Sequence, residues 1–402
     1  MSRRGYRGKG NRVTHNRTSG GNSPLKQPQV MFLASLGIVA ALLIRYQFID
    51  FKSNDYNAFL SHWLQYFRDN GGFSALGKRI GDYNVPYLYF MALFSYIPVS
   101  GLYLIKLLSV IFDILLAYTA MKLVTLLTNR NDFGVAAFIL VLLLPTVTVN
   151  SSMWGQCDSI YTSLGLLALY YGLKKKPILS VSLAALAFSF KLQVIFLLPI
   201  FAVLLFTDRI KIRHLFAFPV VYFLVFLPAA IMGRPVIDAI LIYTNQVGSY
   251  SSFLTLNAPS IYALLGSVSD RSLFTAIGII IAFLTLLSLL LYLLLRRKRL
   301  DIRTITISAA LMVQLIPFLL PSMHERYFYL SDILSVISSF ASPWLIPVPI
   351  LVQLGSWSGY HAYLFGGGIG IELGAKFMLA AAVILLIYLI FSIEKGRRRS
   401  HN

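Results

Sequence analysis

Ala276-Ile277-Gly278-Ile279-Ile280-Ile281-Ala282-Phe283-Leu284-Thr285-Leu286-Leu287-Ser288-Leu289-Leu290-Leu291-Tyr292-Leu293-Leu294-Leu295 runs without a charged residue and stops at Arg296-Arg297-Lys298-Arg299. A helix needs about 20 such residues to cross the hydrocarbon core, and a basic cluster beside it marks the cytoplasmic end. Similar runs recur at Val30–Phe48, Phe133–Asn150 and Phe377–Ile393. Of 402 residues, 57% are hydrophobic and 12% are charged, where a soluble domain carries roughly 25% charged. The runs do not alternate apolar and polar residues as barrel strands do. The fold class is therefore an all-α polytopic membrane protein.

The net charge of +20 is spread over short loops rather than gathered on one face. Clusters stand at Arg3–Lys26, Lys174–Lys176, Arg209–Arg213, Arg296–Arg303 and Lys395–Arg399. That pattern argues against nucleic acid and for orientation in, and contact with, anionic membrane lipid. Spans are expected at roughly 30–48, 101–126, 133–150, 158–173, 178–190, 192–206, 213–232, 271–296, 303–320, 326–340, 343–357 and 370–393, about 12 transmembrane helices. They form one domain over 30–393, between a basic, disordered cytoplasmic tail at 1–29 and a second basic cytoplasmic tail at 394–402. No cleavable signal peptide is evident, because the run after the polar tail is long enough to stay as an anchor. The single cysteine, Cys157, excludes an internal disulfide.

This alternation puts both termini in the cytoplasm of a multi-pass cell-membrane protein and puts the polar interruptions on the outer face. The first external loop is long. Within it Tyr56, Phe59, Leu60, Trp63, Leu64 and Phe67 share one side of an interfacial helix. Tyr87–Ile97 is too short to cross, and crossing would turn every later basic cluster outward, so a helix on the outer surface is expected.

Polar groups at such depths usually mark function. Asp55 is either the N-cap of the interfacial helix or a general base. The glycine- and tyrosine-rich run around Asp82 implies a shaped loop. In Trp154-Gly155-Gln156-Cys157-Asp158, Asp158 suits a helix cap and Trp154 an aromatic belt, while Gln156 beside Asp158 suits hydroxyl groups. Lys191 either snorkels or, if buried, attracts an anion such as phosphate. In Met323-His324-Glu325-Arg326-Tyr327, His324 is a candidate acid, base or hydrogen-bond donor, and Arg326 offers a fork for phosphate oxygens. Glu325 orients either neighbour, or pairs with Arg326 for stability alone. Phe328 stands where a helical zinc motif needs its second histidine, so that site is unsupported.

In their order and shared sidedness, these motifs resemble the GT-C superfamily of polytopic glycosyltransferases. The nearer likeness is to bacterial mannosyltransferase-related proteins; a more distant one is to the glucosyltransferases that extend lipid-linked oligosaccharides. The resemblance covers nearly the whole chain, with Cys157 standing where the usual motif has Phe. It implies an inverting hexosyltransferase that moves a mannose- or glucose-type sugar from a polyprenyl-phosphate donor to a glycan, lipid-linked or protein acceptor outside the membrane. It places the general base at Asp55, with Asp50 as runner-up and Asp158 as a second catalytic carboxylate. Lys191, His324 and Arg326 then face the donor phosphate, and Trp154, Gln156, Asp82 and Glu325 face sugar or acceptor. Some members of the superfamily use a divalent metal and others do not, so the resemblance makes no cofactor certain and leaves a divalent metal open; no acidic doublet here argues for one.

A polyprenyl-linked glycan flippase or transporter shares this composition, but internal repeats and mid-membrane binding groups are expected of it. Asp113 is the clearest acid well inside a span. A surface-glycan polymerase or ligase is the third reading, and such proteins typically carry a large late loop rather than a large first one.

Overall fold

The computed structural model describes residues 26–248, 253–266, 270–367 and 370–399. Most of the expected N-terminal tail, up to residue 25, and residues 400–402 lie outside them. Chain order begins with α1 (Gln27–Tyr46), a widened π turn (Tyr56–Leu60), α2 (Ser61–Asp69), a 3-10 turn (Gly72–Gly77) and α3 (Val85–Ser95). Next come α4 (Gly101–Thr128), α5 (Asn131–Leu143), α6 (Pro145–Thr148), a second π turn (Val149–Trp154) and α7 (Asp158–Leu173). α8 (Pro177–Phe190), α9 (Ile200–Phe206), α10 (Ala217–Ile231) and α11 (Asp238–Gly248) follow. The chain closes with α12 (Arg271–Leu295), α13 (Ile302–Leu319), α14 (Tyr329–Ser339), α15 (Pro347–Phe365) and α16 (Ile371–Arg399).

Six described helical stretches are long and apolar enough to cross a membrane: Gln27–Tyr46, Gly101–Thr128, Ile212–Ile231, Arg271–Leu295, Ile302–Leu319 and Ile371–Lys395. A seventh exists only if α5 and Pro145–Trp154, bent by 52° at their junction, count as one. Pro145 explains that bend: proline lacks the amide hydrogen and its ring crowds the preceding turn. The remaining intervals expected as spans hold shorter or less apolar helices, including α7, α8, α9 and α14.

α4 is the buried axis of the first half, packed against α5 and α7. Two of its polar residues explain its neighbours. Asp113 takes the Arg45 guanidinium of α1 at 2.8 Å, and Arg45 also donates to the Leu142 carbonyl at 3.0 Å. Each charge offsets the desolvation of the other, as a buried pair must. Lys106, equally buried, donates to the carbonyls of Phe48, Ile49 and Phe51 at 2.6–2.9 Å. A cation is at home on the orphan carbonyls just past a helix C-terminus. Lys106 thereby fixes how the chain leaves α1 and enters the first loop.

The amphipathic reading of that loop is realised in part. Leu60, Leu64 and Phe67 are buried in the core, while Phe59 is half exposed at the wall of a cavity. The helix expected on the outer surface at Tyr87–Ile97 runs instead from Val85 to Ser95, and Tyr87, Leu88, Met91 and Ala92 are fully buried. It packs against α2, α8 and α10 because its sides are apolar all round.

Thr255–Leu256 pairs in parallel with Met323–His324. Ser322 makes the turn into that pair with φ +62°, donating from its amide to Leu254 and from its hydroxyl to Phe253. The pair holds the His-Glu-Arg segment in an extended shape between α13 and α14.

Candidate functional site

A cavity of about 220 Å³ opens where the first loop, the Trp154–Asp158 junction, the start of the segment after α8 and the Met323–Tyr327 segment converge. Asp55, Asp82, Gln156, Lys191, His324, Glu325 and Arg326 all line it. Asp55 and Arg326, 271 positions apart in sequence, thus share one chamber, and the helix ends that carry these residues belong to one face of the bundle.

Asp55 does not cap the helix that follows it; the Ser53 hydroxyl takes that amide, accepting from Tyr56 N at 3.1 Å. Its carboxylate instead accepts from the Trp154 indole N–H at 3.0 Å and the Gln156 amide at 2.6 Å, both on Oδ2. The Tyr363 hydroxyl donates to Oδ1, and the Arg326 guanidinium lies 3.8 Å away. Ser53 also donates to the Trp154 carbonyl at 2.7 Å, tying the two segments together beside the carboxylate.

Trp154 is fully buried, so it is no member of an interfacial belt. It stacks on Tyr363 at 4.6 Å, meets Tyr360 edge-on, and carries the Arg326 guanidinium 4.9 Å over its ring. The π turn at Val149–Trp154 makes this placement, ending on Gly155 at φ +77°, where a side chain would be strained. Such widened turns are rare and cluster at functional sites.

Asp158 is not a hydrogen-bonding cap either, and it stands one layer behind the cavity wall. It ion-pairs with Lys191 and accepts from Asn150 Nδ2 at 2.8 Å. Lys191, 4% exposed, does not snorkel. Its ammonium sits between the rings of Tyr83 and Tyr161, at 5.5 and 5.9 Å. Asp158 therefore neutralises and aims Lys191, which is the better-placed of the two to meet a ligand. Asp50, the alternative base, accepts from Tyr103 at 2.7 Å and does not line the cavity.

Gln156 is the hub between acid and base: its amide donates to Asp55, and its carbonyl accepts from Arg326 at 2.6 Å and Tyr83 at 3.0 Å. Glu325 lies 3.4 Å from Arg326 through one oxygen and buries the other without a hydrogen-bond partner. Burial pushes its carboxyl up to about 7 in spite of Arg326. Burial, reinforced by Arg326 and Lys191, pushes the His324 imidazole down to about 3. His324 is therefore neutral near pH 7 and brings a ring nitrogen rather than a charge. Among the described residues no three His, Cys, Asp or Glu side chains converge as metal ligands would.

Several groups in or behind the cavity wall had no functional role assigned from sequence. Tyr363 and Tyr360, three apart on α15, face Trp154 together, which is the i, i+3 relation of one helix face. Gln193 and Gln246 also face the cavity, each with a side-chain oxygen that is buried and unpartnered. Phe59, Trp63 and Tyr83 supply aromatic wall. Gln193, two residues past Lys191, and Tyr83, beside Asp82, stood in stretches already singled out from sequence.

The chamber joins an anchored carboxylate, two fixed cations, hydrogen-bonding amides and aromatic rings. That set suits a molecule with hydroxyl groups and an anionic end. No protein-family model matches the chain, and no curated protein matches it either.

Proposed function

We propose that this is a GT-C-like, inverting hexosyltransferase that uses a polyprenyl-phosphate-linked mannose- or glucose-type sugar as donor. In this reading the chain has about 12 spans, counting the shorter helices that pack beside the long ones. Both termini are cytoplasmic, and the cavity opens on the outer face of the cell membrane, toward a glycan, lipid-linked or protein acceptor.

The observation that carries the reading is the pairing of Asp55 with Arg326 and Lys191 in one cavity bounded by apolar helices. In the reaction an acceptor oxygen forms a bond to the anomeric carbon while the bond from that carbon to the phosphate oxygen breaks. The acceptor's proton passes to Asp55, and the electron pair leaves with the polyprenyl phosphate. Arg326 and Lys191 meet the charge that grows on the departing phosphate, and His324 supplies a hydrogen bond from a neutral ring. Gln156 holds base and guanidinium at a set distance. Glu325 positions Arg326, and Asp82 with Trp63 and Tyr83 receives the sugar or acceptor.

The test is an assay of the purified chain in lipid nanodiscs with labelled polyprenyl-phosphate hexoses and a panel of acceptors. Asp55→Asn is expected to lower transfer by about 100-fold or more, the usual worth of a general base, with insertion unchanged. Full activity in that variant removes Asp55 from the role.

One observation favours a polyprenyl-linked glycan flippase: the broken pair of α5 and Pro145–Trp154 ends on Trp154, whose indole holds Asp55 of the cavity wall, and interrupted helices frame the binding sites of transporters. Movement of a labelled lipid-linked glycan between leaflets, with no glycosidic product, decides for that reading.

A further inference from the structure

At the other end of the bundle lies a second cleft, of about 450 Å³, between the starts of α13 and α15 and the end of α16. Arg303, Ser342, Trp344, Tyr388, Phe391 and Lys395 line it. Arg303 opens α13, whereas the Met323–Arg326 segment of the first cavity follows the end of that helix. Some 18 residues of helix, about 27 Å, separate the two sites, close to the thickness of a hydrocarbon core.

The cleft is positive and stays so. Among the described residues no carboxylate lines it, and the neighbouring Glu394 is engaged by Arg296 at 2.8 Å and Arg299 at 3.1 Å. Arg303 spends only its Nε on the protein, donating to the Leu127 carbonyl at 3.1 Å, which points the fork while leaving both terminal nitrogens without a bond to described residues. Lys395 lies 5.7 Å over the Phe391 ring. Trp344 is 80% exposed, the most exposed large apolar side chain described. Two apolar side chains flank it, Ile346 immediately before α15 and Ile387 about two turns before Lys395 on α16, both more than half exposed.

We propose that this cleft binds one anionic phospholipid. Its phosphodiester sits between the Arg303 fork and the Lys395 ammonium, Trp344 lies at glycerol depth, and an acyl chain follows Ile346 and Ile387. Arginine matches phosphate oxygens two at a time, and lysine adds a point charge. A soluble anion uses the cations but leaves the flanking apolar side chains idle; a phospholipid covers both. Basic pockets between membrane helices take anionic headgroups for this reason. The inference is independent of the reaction proposed above.

The full chain in phosphatidylcholine nanodiscs containing a few mole per cent of phosphatidylglycerol provides the test, with bound lipid read by native mass spectrometry. Wild type is expected to retain phosphatidylglycerol over phosphatidylcholine by about tenfold. Arg303→Gln with Lys395→Gln should cut that preference to below about twofold, Arg303→Lys should fall between, and Trp344→Ala should weaken it with the charge intact. Lys174→Gln with Lys176→Gln removes the same charge from another loop and should leave the preference unchanged. Equal losses from both charge pairs would show a diffuse surface potential and overturn the site. Displacement of the lipid by millimolar inorganic phosphate would overturn the phospholipid as its occupant. Unfolding midpoints of all variants confirm that the folded chain is being compared.

Discussion

Asp55, Trp154 and Asp158 each had an ordinary explanation as cap or belt residue, and each is spent on another side chain instead. A cap is a local device that neighbouring backbone can satisfy, and Ser53 does so for Asp55. What the local sequence cannot show is that Tyr363, 308 residues later, brings a hydroxyl to the same carboxylate. Glu325 offers a test at this scale. Its carboxyl is held near 7 by burial, above the ordinary 4.5, so the folded chain binds a proton that the unfolded chain has released. That contribution to stability is full below about pH 4.5 and is lost as pH rises through 7, a span worth about 3 kcal/mol. Glu325→Gln cannot ionise, so it should unfold like wild type at pH 4 and be more stable, by up to about 3 kcal/mol, at pH 8. Denaturation in detergent at the two pH values checks this; the same offset at both would dismiss the burial effect.

Elements decide how firmly the cavity keeps its shape. The pairing of Thr255–Leu256 with Met323–His324 and the approach of α15 through Gly359 trap the His-Glu-Arg segment between them. A Cβ on Gly359 would stand 2.5 Å from the Asn257 carbonyl oxygen and 2.8 Å from the Glu325 Cβ, so the segment must move. Gly359→Ala is expected to cost about 100-fold in transfer, the scale of a 1 Å misplacement, while helical content by circular dichroism is retained. Gly370→Ala, with open space around it, is the control. An active Gly359→Ala would mean that this segment is not held in place by α15. The helix-forming character of α15 was legible from its apolar run, but the need for glycine at position 359 was not, because its partner lies on a distant loop.

On the scale of the whole molecule, the two clefts occupy opposite ends of the helices, one with balanced charge and one with excess cation. The sidedness proposed from the basic loops can be measured directly. Cys157 is buried, so a Cys157→Ser background carrying single cysteines gives a clean readout. Ser74→Cys, exposed on the cavity side, is expected to react with a membrane-impermeant maleimide in intact cells. Lys174→Cys, exposed at the other end, should react only after permeabilisation. The reverse pattern would turn the proposed topology over.

By itself the sequence determined that the protein lives in a membrane, that it is helical, and which ends of its helices carry cations. Those properties are sums over long apolar runs and short charged loops, and a sum does not depend on which partner a residue meets. It also pointed to Asp55, Gln156, Lys191 and Arg326, because ionisable and amide groups beside apolar runs are costly wherever they pack. Only the tertiary structure decided that Asp158 serves Lys191, that His324 is neutral, that Tyr363 completes the setting of Asp55, and that Arg303, Trp344 and Lys395 share a cleft. Hydrogen bonds, burial and ion pairing depend on distances of a few ångströms between segments far apart in the chain, and only the folded packing sets those distances.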